Sequence, residues 1–233
     1  MFVFNKDFWL SLCLIFCNSI IIAEPNKTDE KKMYVETTSG KVEGFLVIAD
    51  LQTHDQQKTI LSGNMRVLNS RLKDAIFFYE NDLNLIKSNG MKVWNDKLKS
   101  VRFHEKLGSQ YDRVERIVKI AILLARKFDL EQDRVRKAAT FIKADLVSSL
   151  VAEFPSLQGI MGAHYAEIEG CEKLVSDAIR DHYLPVGSND VVPKQSLSIV
   201  LALSDKIDYL TCLWKIGITV SYTHLTLPTK AYV

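Results

Sequence analysis

From Val114 to Phe128 the apolar side chains recur every three or four residues. Val114, Ile117, Val118, Ala121, Leu124, Ala125 and Phe128 form one stripe, and Arg113, Arg116, Lys119 and Arg126 take the opposite side. That period is helical, and a stripe this wide must be covered by other elements, so it commits the surrounding chain to a packed, helix-on-helix core. Asp129 offers an N-cap and Gln132 completes a capping box for a second helix carrying Val135, Ala138, Ala139, Ile142, Leu146 and Leu150, which Pro155 ends. Further helices are expected from about Leu157 through Tyr165, from Glu172 to His182, and from Ser196 to Leu213 after the Pro185 to Pro193 loop. Residues 95–219 therefore read as one all-helical domain of ordinary size.

The stretch before it differs. Val35, Thr37 and Thr38 lead into a turn at Gly40, and Phe45 to Ala49 is a short run of strand formers, so a hairpin is expected between Tyr34 and Leu51. From Asn64 onward Val67, Leu68, Leu72, Ala75, Ile76 and Tyr79 return to helical spacing, with Arg66, Arg71, Lys73 and Asp74 on the other face. Lys87 to Asn95 interrupts the pattern with Gly90 and asparagines. The fold class expected is mainly α, a compact helical domain preceded by the end of an α/β region over residues 33–94.

Composition excludes some readings. A net charge of +2, with 25% charged residues of interleaved sign, does not announce a nucleic-acid binder, so any RNA contact must come from local patches. Cys13 and Cys17 lie near the start, and Cys171 and Cys212 stand alone. No CxxC pair occurs, so neither a zinc site nor a disulfide framework is indicated.

Residues 1–32 carry an apolar run from Phe8 to Ala23 after Lys6, the outline of a secretory signal with Ala23 as its cleavage residue. Ile21 is larger than the small side chain such sites take, and the run is shorter than the roughly 20 residues that span a bilayer. A misread start gives the same pattern, and both origins stand. At the other end, VSYTHLTLPT from Val220 to Thr229 resembles a translated sequencing adaptor, so residues 220–233 are expected to lie outside the fold.

Three strings carry more specific information: GNMRVLNSRLKDAIFFYENDL from Gly63 to Leu83, FHEKLGSQYDRVERI from Phe103 to Ile117, and EFPSLQGIMGAHYA from Glu153 to Ala166. In this order and spacing they resemble the beta subunit of the bacterial heterotetrameric glycyl-tRNA synthetase, over about Tyr34 to Thr219. The resemblance implies an internal piece of a longer cytoplasmic protein that contributes tRNA recognition and assembly. Its implied partners are the alpha subunit, the tRNA for glycine and a second beta subunit. ATP and glycine would be handled by the alpha subunit, leaving no cofactor and no catalytic residue here. For tRNA contact the residues expected are Arg66, Arg71, Lys106, Arg113 and Arg116, whose charges suit backbone phosphates; a solvated helix face is the alternative. Tyr111 and Trp94 suit either base stacking or buried packing.

The helical part is also similar to a divergent HD domain, the fold of metal-dependent phosphohydrolases. Asp145 and Asp205 fall where that family keeps aspartates, while Arg113 and Ala144 lie near where its histidines belong. Without those imidazoles no metal is expected. Inward-facing Asp145 and Asp205 would then need a base or backbone N–H groups, and Lys143, Arg113 and Lys206 are nearby. His104 and His164 make no ligand pair, His54 and His182 are expected at the surface, and His224 lies in the tail. Gly159 and Gly162 lack the Lys-Ser/Thr of a phosphate loop and suit close helix packing. An HD-type phosphohydrolase and an exported helical interaction protein remain the rival readings.

Overall fold

The computed structural model describes residues 33–38, 41–47, 54–55, 58–187 and 190–217. The leader, the turn at Gly40, Ile48 and Ala49 of the apolar run, and the tail with His224 lie outside the described residues. The architecture is mainly α. Two compact units divide it, Met1–Glu80 and Asn81–Val233.

In the first unit, β1 (Met33–Thr38) and β2 (Lys41–Val47) form the expected antiparallel hairpin, with Met33 opposite Val47 and Thr38 opposite Lys41. The register shifts between Glu36 and Thr37, where Glu36 faces Gly44 and Thr37 faces Val42. Glycine suits such a bulge because it has no side chain to place. The helix α1 (Lys58–Lys97) starts in this unit, and Asp55 caps it by accepting from the Thr59 N–H at 2.8 Å. Val67, expected on the apolar stripe, is half exposed.

The division at Glu80 falls inside α1, and α1 breaks at Gly90, within the interruption expected at Lys87 to Asn95. Only Gly90 leaves the helical conformation, at φ 68° and ψ 170°, a region that side-chain-bearing residues avoid. Glu169 mends the broken ladder: its Oε2 accepts from the Met91 N–H at 3.1 Å. The residues after Gly90 can therefore resume as helix, and Trp94, almost wholly buried, packs edge-on against Tyr165 at 4.9 Å.

After a short hairpin of β3 (Arg102–His104) and β4 (Gly108–Ser109) comes α2 (Gln110–Lys127). A capping box starts α2: the Ser109 hydroxyl accepts from the Asp112 N–H at 3.2 Å and Asp112 accepts from the Ser109 N–H at 2.8 Å. The apolar stripe of α2 buries Val114, Ile117, Ala121 and Ala125, but Phe128 at its end is exposed. Asp129 does not start the next helix as expected. It takes φ 51°, and the Leu130 N–H returns to Ala125 O at 3.0 Å, so Asp129 closes α2 in the left-handed geometry that short polar residues tolerate. The next helix, α3 (Gln132–Phe141), has no side-chain cap.

The single helix expected to continue to Pro155 is three pieces: α3, a 3-10 turn over Ala144–Val147, and α4 (Ser149–Glu153). The reason lies in Lys143 and Asp145, both buried. Two residues apart on a helix point to opposite sides, so a continuous helix would send one of these charges outward. Three helices complete the unit: α5 (Ile160–Ile168), α6 (Lys173–Asp181) and α7 (Ser196–Lys215). The helix α2 packs on α3 and α7, while α6 packs on α5 and α7.

Asp82, fully buried on α1, ties this unit together. It accepts from the Ser149 N–H at 2.8 Å, the Leu150 N–H at 3.0 Å and the Tyr165 hydroxyl at 3.0 Å, and so caps α4 from another element. Replacing Asp82 by Ala removes all three bonds and is expected to lower unfolding free energy by about 2–4 kcal/mol. Tyr165→Phe, which removes one of the three bonds, should cost about 1 kcal/mol in the same urea titration.

Candidate functional site

Two arginines three residues apart on α2 face two aspartates three residues apart on α7. Arg113 Nη2 donates to Asp205 Oδ1 at 2.8 Å, and Arg116 Nε donates to Asp208 Oδ1 at 2.7 Å. Arg113 Nε lies 3.6 Å from Asp208 Oδ2, which joins the two pairs into one ladder. The i, i+3 spacing puts each pair on one helix face, so two helices packed side by side can match them rung by rung. The Arg113 guanidinium also lies over the rings of Phe103 and Tyr209, 4.6 and 5.4 Å from their centroids.

Lys143 extends the ladder inward. Its Nζ donates to Asp205 Oδ2 at 3.1 Å and contacts His182 Nε2 at 2.8 Å, and it lies over the Tyr183 ring at 3.9 Å. His182 Nδ1 lies 2.5 Å from Ile179 O, which can only accept. The proton therefore sits on Nδ1, leaving Nε2 to accept from the lysine. Burial and the Lys143 charge hold His182 well below its usual pKa, in keeping with a neutral ring. Burial pushes Lys143 itself down to about 8, with Asp205 opposing. Burial also resists ionisation of Asp205, but Lys143 and Arg113 overcome it and keep that carboxyl below the usual range.

Asp145 is held differently. Its Oδ2 accepts from the Gly159 N–H at 2.6 Å, while its Oδ1 is buried without a hydrogen-bond partner among the described residues. Gly159 has φ 78°, and a Cβ there would lie 2.9 Å from the Tyr183 ring; one on Gly162 would lie 3.0 Å from Asp145 Oδ2. Gly162 thus lets α5 approach the acid closely, and Gly159 leaves room for Tyr183. Burial raises Asp145 to about 6 despite the Gly159 N–H.

These contacts place the residues singled out in the sequence. Asp205 has the bases expected for it, Lys143 and Arg113. Asp145 takes the backbone route, and Lys206 instead donates to Tyr183 O and Leu184 O at 3.2 and 2.9 Å. Arg113, expected on a polar face, is buried in the ladder, and Arg116 is half-buried beside it. Lys106 is exposed on the β3–β4 turn, and Arg66 and Arg71 are exposed on α1 in the other unit. Trp94 is core, and Tyr111 is half-buried under Lys99 at 4.6 Å. His182 was expected at the surface and is fully buried. Its spacing gave the signal, for it continues the buried face of Val175, Ala178 and Ile179. Asp208 was missed, although DxxD of α7 mirrors RxxR of α2.

The donor set does not suit a metal ion at Asp205: two cationic side chains already hold that carboxylate, and the one nearby imidazole accepts from Lys143. Among the described residues no group of three or more His, Cys, Asp or Glu side chains is arranged to hold one. Beside the ladder lies a cavity of about 570 Å³ whose lining includes Arg113, Lys143, Asp205 and Lys206. Among the described residues no helix is long and apolar enough to cross a membrane.

Comparison with known proteins matches residues 19–223 to the family model described as glycyl-tRNA synthetase beta subunit. The chain belongs to that family. It is 48% identical over 178 residues to the glycine–tRNA ligase beta subunit of Paracoccus denitrificans (strain Pd 1222), covering 76% of this chain and 26% of that protein. The Cereibacter sphaeroides (strain ATCC 17029) subunit is 41% identical over 198 residues, 84% of this chain and 28% of the relative. That of Lactiplantibacillus plantarum is 38% identical over 170 residues, 72% and 24%. The chain spans about a quarter of the length of the curated relatives it matches. These matches lend no support to the phosphohydrolase or exported-protein readings.

Arg113→Ala leaves Asp205 and Asp208 buried with a lost partner and is expected to cost about 3–5 kcal/mol, read by urea unfolding. Asp145, with its folded value above the ordinary 3.8, contributes stability through protonation that is complete below that value and lost as pH rises through about 6. Compared with Asp145→Asn, the wild-type chain should lose about 2 kcal/mol of stability between pH 4 and pH 7. His182, held low, acts in the opposite sense over part of that window but is common to both proteins, so the difference isolates Asp145.

Proposed function

We propose that this chain is a tRNA-binding and scaffolding part of a glycine–tRNA ligase beta subunit, acting in ATP-dependent attachment of glycine to tRNA. The observation that carries this reading is identity of 38–48% to beta subunits from three bacteria over most of the chain. Its partners are then the alpha subunit, the tRNA for glycine and a second beta subunit, in the cytoplasm. Adenylate chemistry and its ATP belong to the alpha subunit, so the chain by itself is inactive. The helical unit serves as an HD-like scaffold in which Arg113 and Lys143 take the place of a catalytic cation.

Physical chemistry ranks the five cations expected to meet RNA. Lys106 is exposed and close to the α2 N-terminus, and Arg66 shares a shallow groove with Lys58, Thr59 and Ser62. Both can meet phosphates without breaking a buried ion pair. Arg71 is likewise exposed. Arg113 and Arg116 act through the ladder, shaping the surface from beneath. Filter binding to the tRNA for glycine across a salt series tests this assignment. Lys106→Ala should weaken binding and reduce the slope of log K against log salt by about 1, whereas an unchanged slope removes Lys106 from the interface. Failure of the chain to bind this tRNA, alone or with the alpha subunit, would count against the RNA-binding role.

A further inference from the structure

The ladder explains why Arg113, Lys143 and Asp205 are where they are, but not the rest of the cavity beside it. Its wall also carries two tyrosines, Tyr183 and Tyr209, two side-chain amides, Gln110 and Gln158, and Lys206. At about 570 Å³ it falls within the roughly 300–1,000 Å³ of small-ligand sites. Arg113 and Lys143 in the lining are already paired with Asp205 and Asp208, whereas Lys206 meets only backbone carbonyls and so offers its charge to an anionic guest. Lys206 uses two of its three N–H groups on Tyr183 O and Leu184 O, so one remains. Gln110 Oε1 is buried with no hydrogen-bond partner among the described residues, an acceptor that a ligand's N–H would satisfy. Tyr209 is 45% exposed, and its ring is already held by the Arg113 guanidinium.

A bare phosphate would use the cations and leave the rings and amides idle. A purely apolar guest would leave the cations idle. One ligand class engages all three: a nucleotide, with a ring to stack, amide-reading edges and a phosphate.

We propose that this cavity receives one unpaired nucleotide. The base lies against Tyr209, its edge meets Gln110 and Gln158, and its phosphate lies by Lys206. In taking that nucleotide from tRNA the inference rests on the RNA-binding reading; a free nucleotide offers the same chemistry. The site binds and does not cleave.

Equilibrium binding of the whole chain to three probes tests it: the tRNA for glycine, a blunt RNA duplex without unpaired nucleotides, and the four nucleoside 5′-monophosphates. The variants are Gln110→Ala, Tyr209→Ala and Leu210→Trp, each checked for fold by circular dichroism. Leu210 lines the cavity and is 42% exposed, so a tryptophan there fills space without removing a polar partner or disturbing the core. The expected result is tRNA and monophosphate affinities about tenfold weaker in each variant, with the weak duplex affinity unchanged. If tRNA is not bound but a monophosphate is, and the variants abolish it, the cavity stands with a free nucleotide as its ligand and the RNA reading falls. If tRNA binds equally to all four proteins, the cavity assignment is overturned while RNA binding survives. Absence of any cavity-dependent binding to either probe overturns it as well.

Discussion

Everything in the helical unit is arranged around charge that has been taken out of water. Arg113, Lys143, Asp205 and Asp208 are all buried, and each is tolerable only because the others are present. Desolvating such groups costs several kcal/mol apiece, and their mutual attraction offsets that cost only with close geometry. The geometry in turn fixes the helices: α2 and α7 must lie in register for RxxR to meet DxxD, and the chain after α3 must break for Lys143 to reach Asp205. Any slip of one helix along the other would leave an unpaired charge inside.

The same network decides what the site can do. A carboxylate held by a guanidinium and an ammonium is a poor ligand for a cation, and an imidazole that accepts from a lysine has no lone pair to spare. What remains reactive in character is the wall of the neighbouring cavity, where cations, rings and amides meet solvent. Recognition suits that surface better than bond breaking. The matched relatives are about three times as long as this chain and carry most of their length outside the matched region.

Much of this was readable in the sequence, and the misreadings have physical causes. The α2 stripe, the β1–β2 hairpin and the late helices declare themselves through periodicity. The long helix expected through Asp145 failed because periodicity counts apolar positions and is blind to a buried lysine and acid on opposite sides of one alanine. Asp129 looked like a cap because its side chain suits one; its backbone does a different task, closing the previous helix. Residue type alone sends His182 to the surface, although it occupies an inward position of an amphipathic helix. Partner-dependent burial of that kind shows only when two elements are read together, as in the matched three-residue spacings of α2 and α7.

The position of Asp82 bears on how the helical unit can be separated from its neighbours. A cut at Asn95, where the linker-like residues invite one, would discard Asp82, Met91 and Trp94, and with them the cap on α4 and the ring that Tyr165 packs against. A trimmed version beginning near Asn81 keeps all three. The useful border for expression, crystallisation or grafting therefore lies about a dozen residues upstream of where glycine and asparagine suggest it, inside a helix instead of between two.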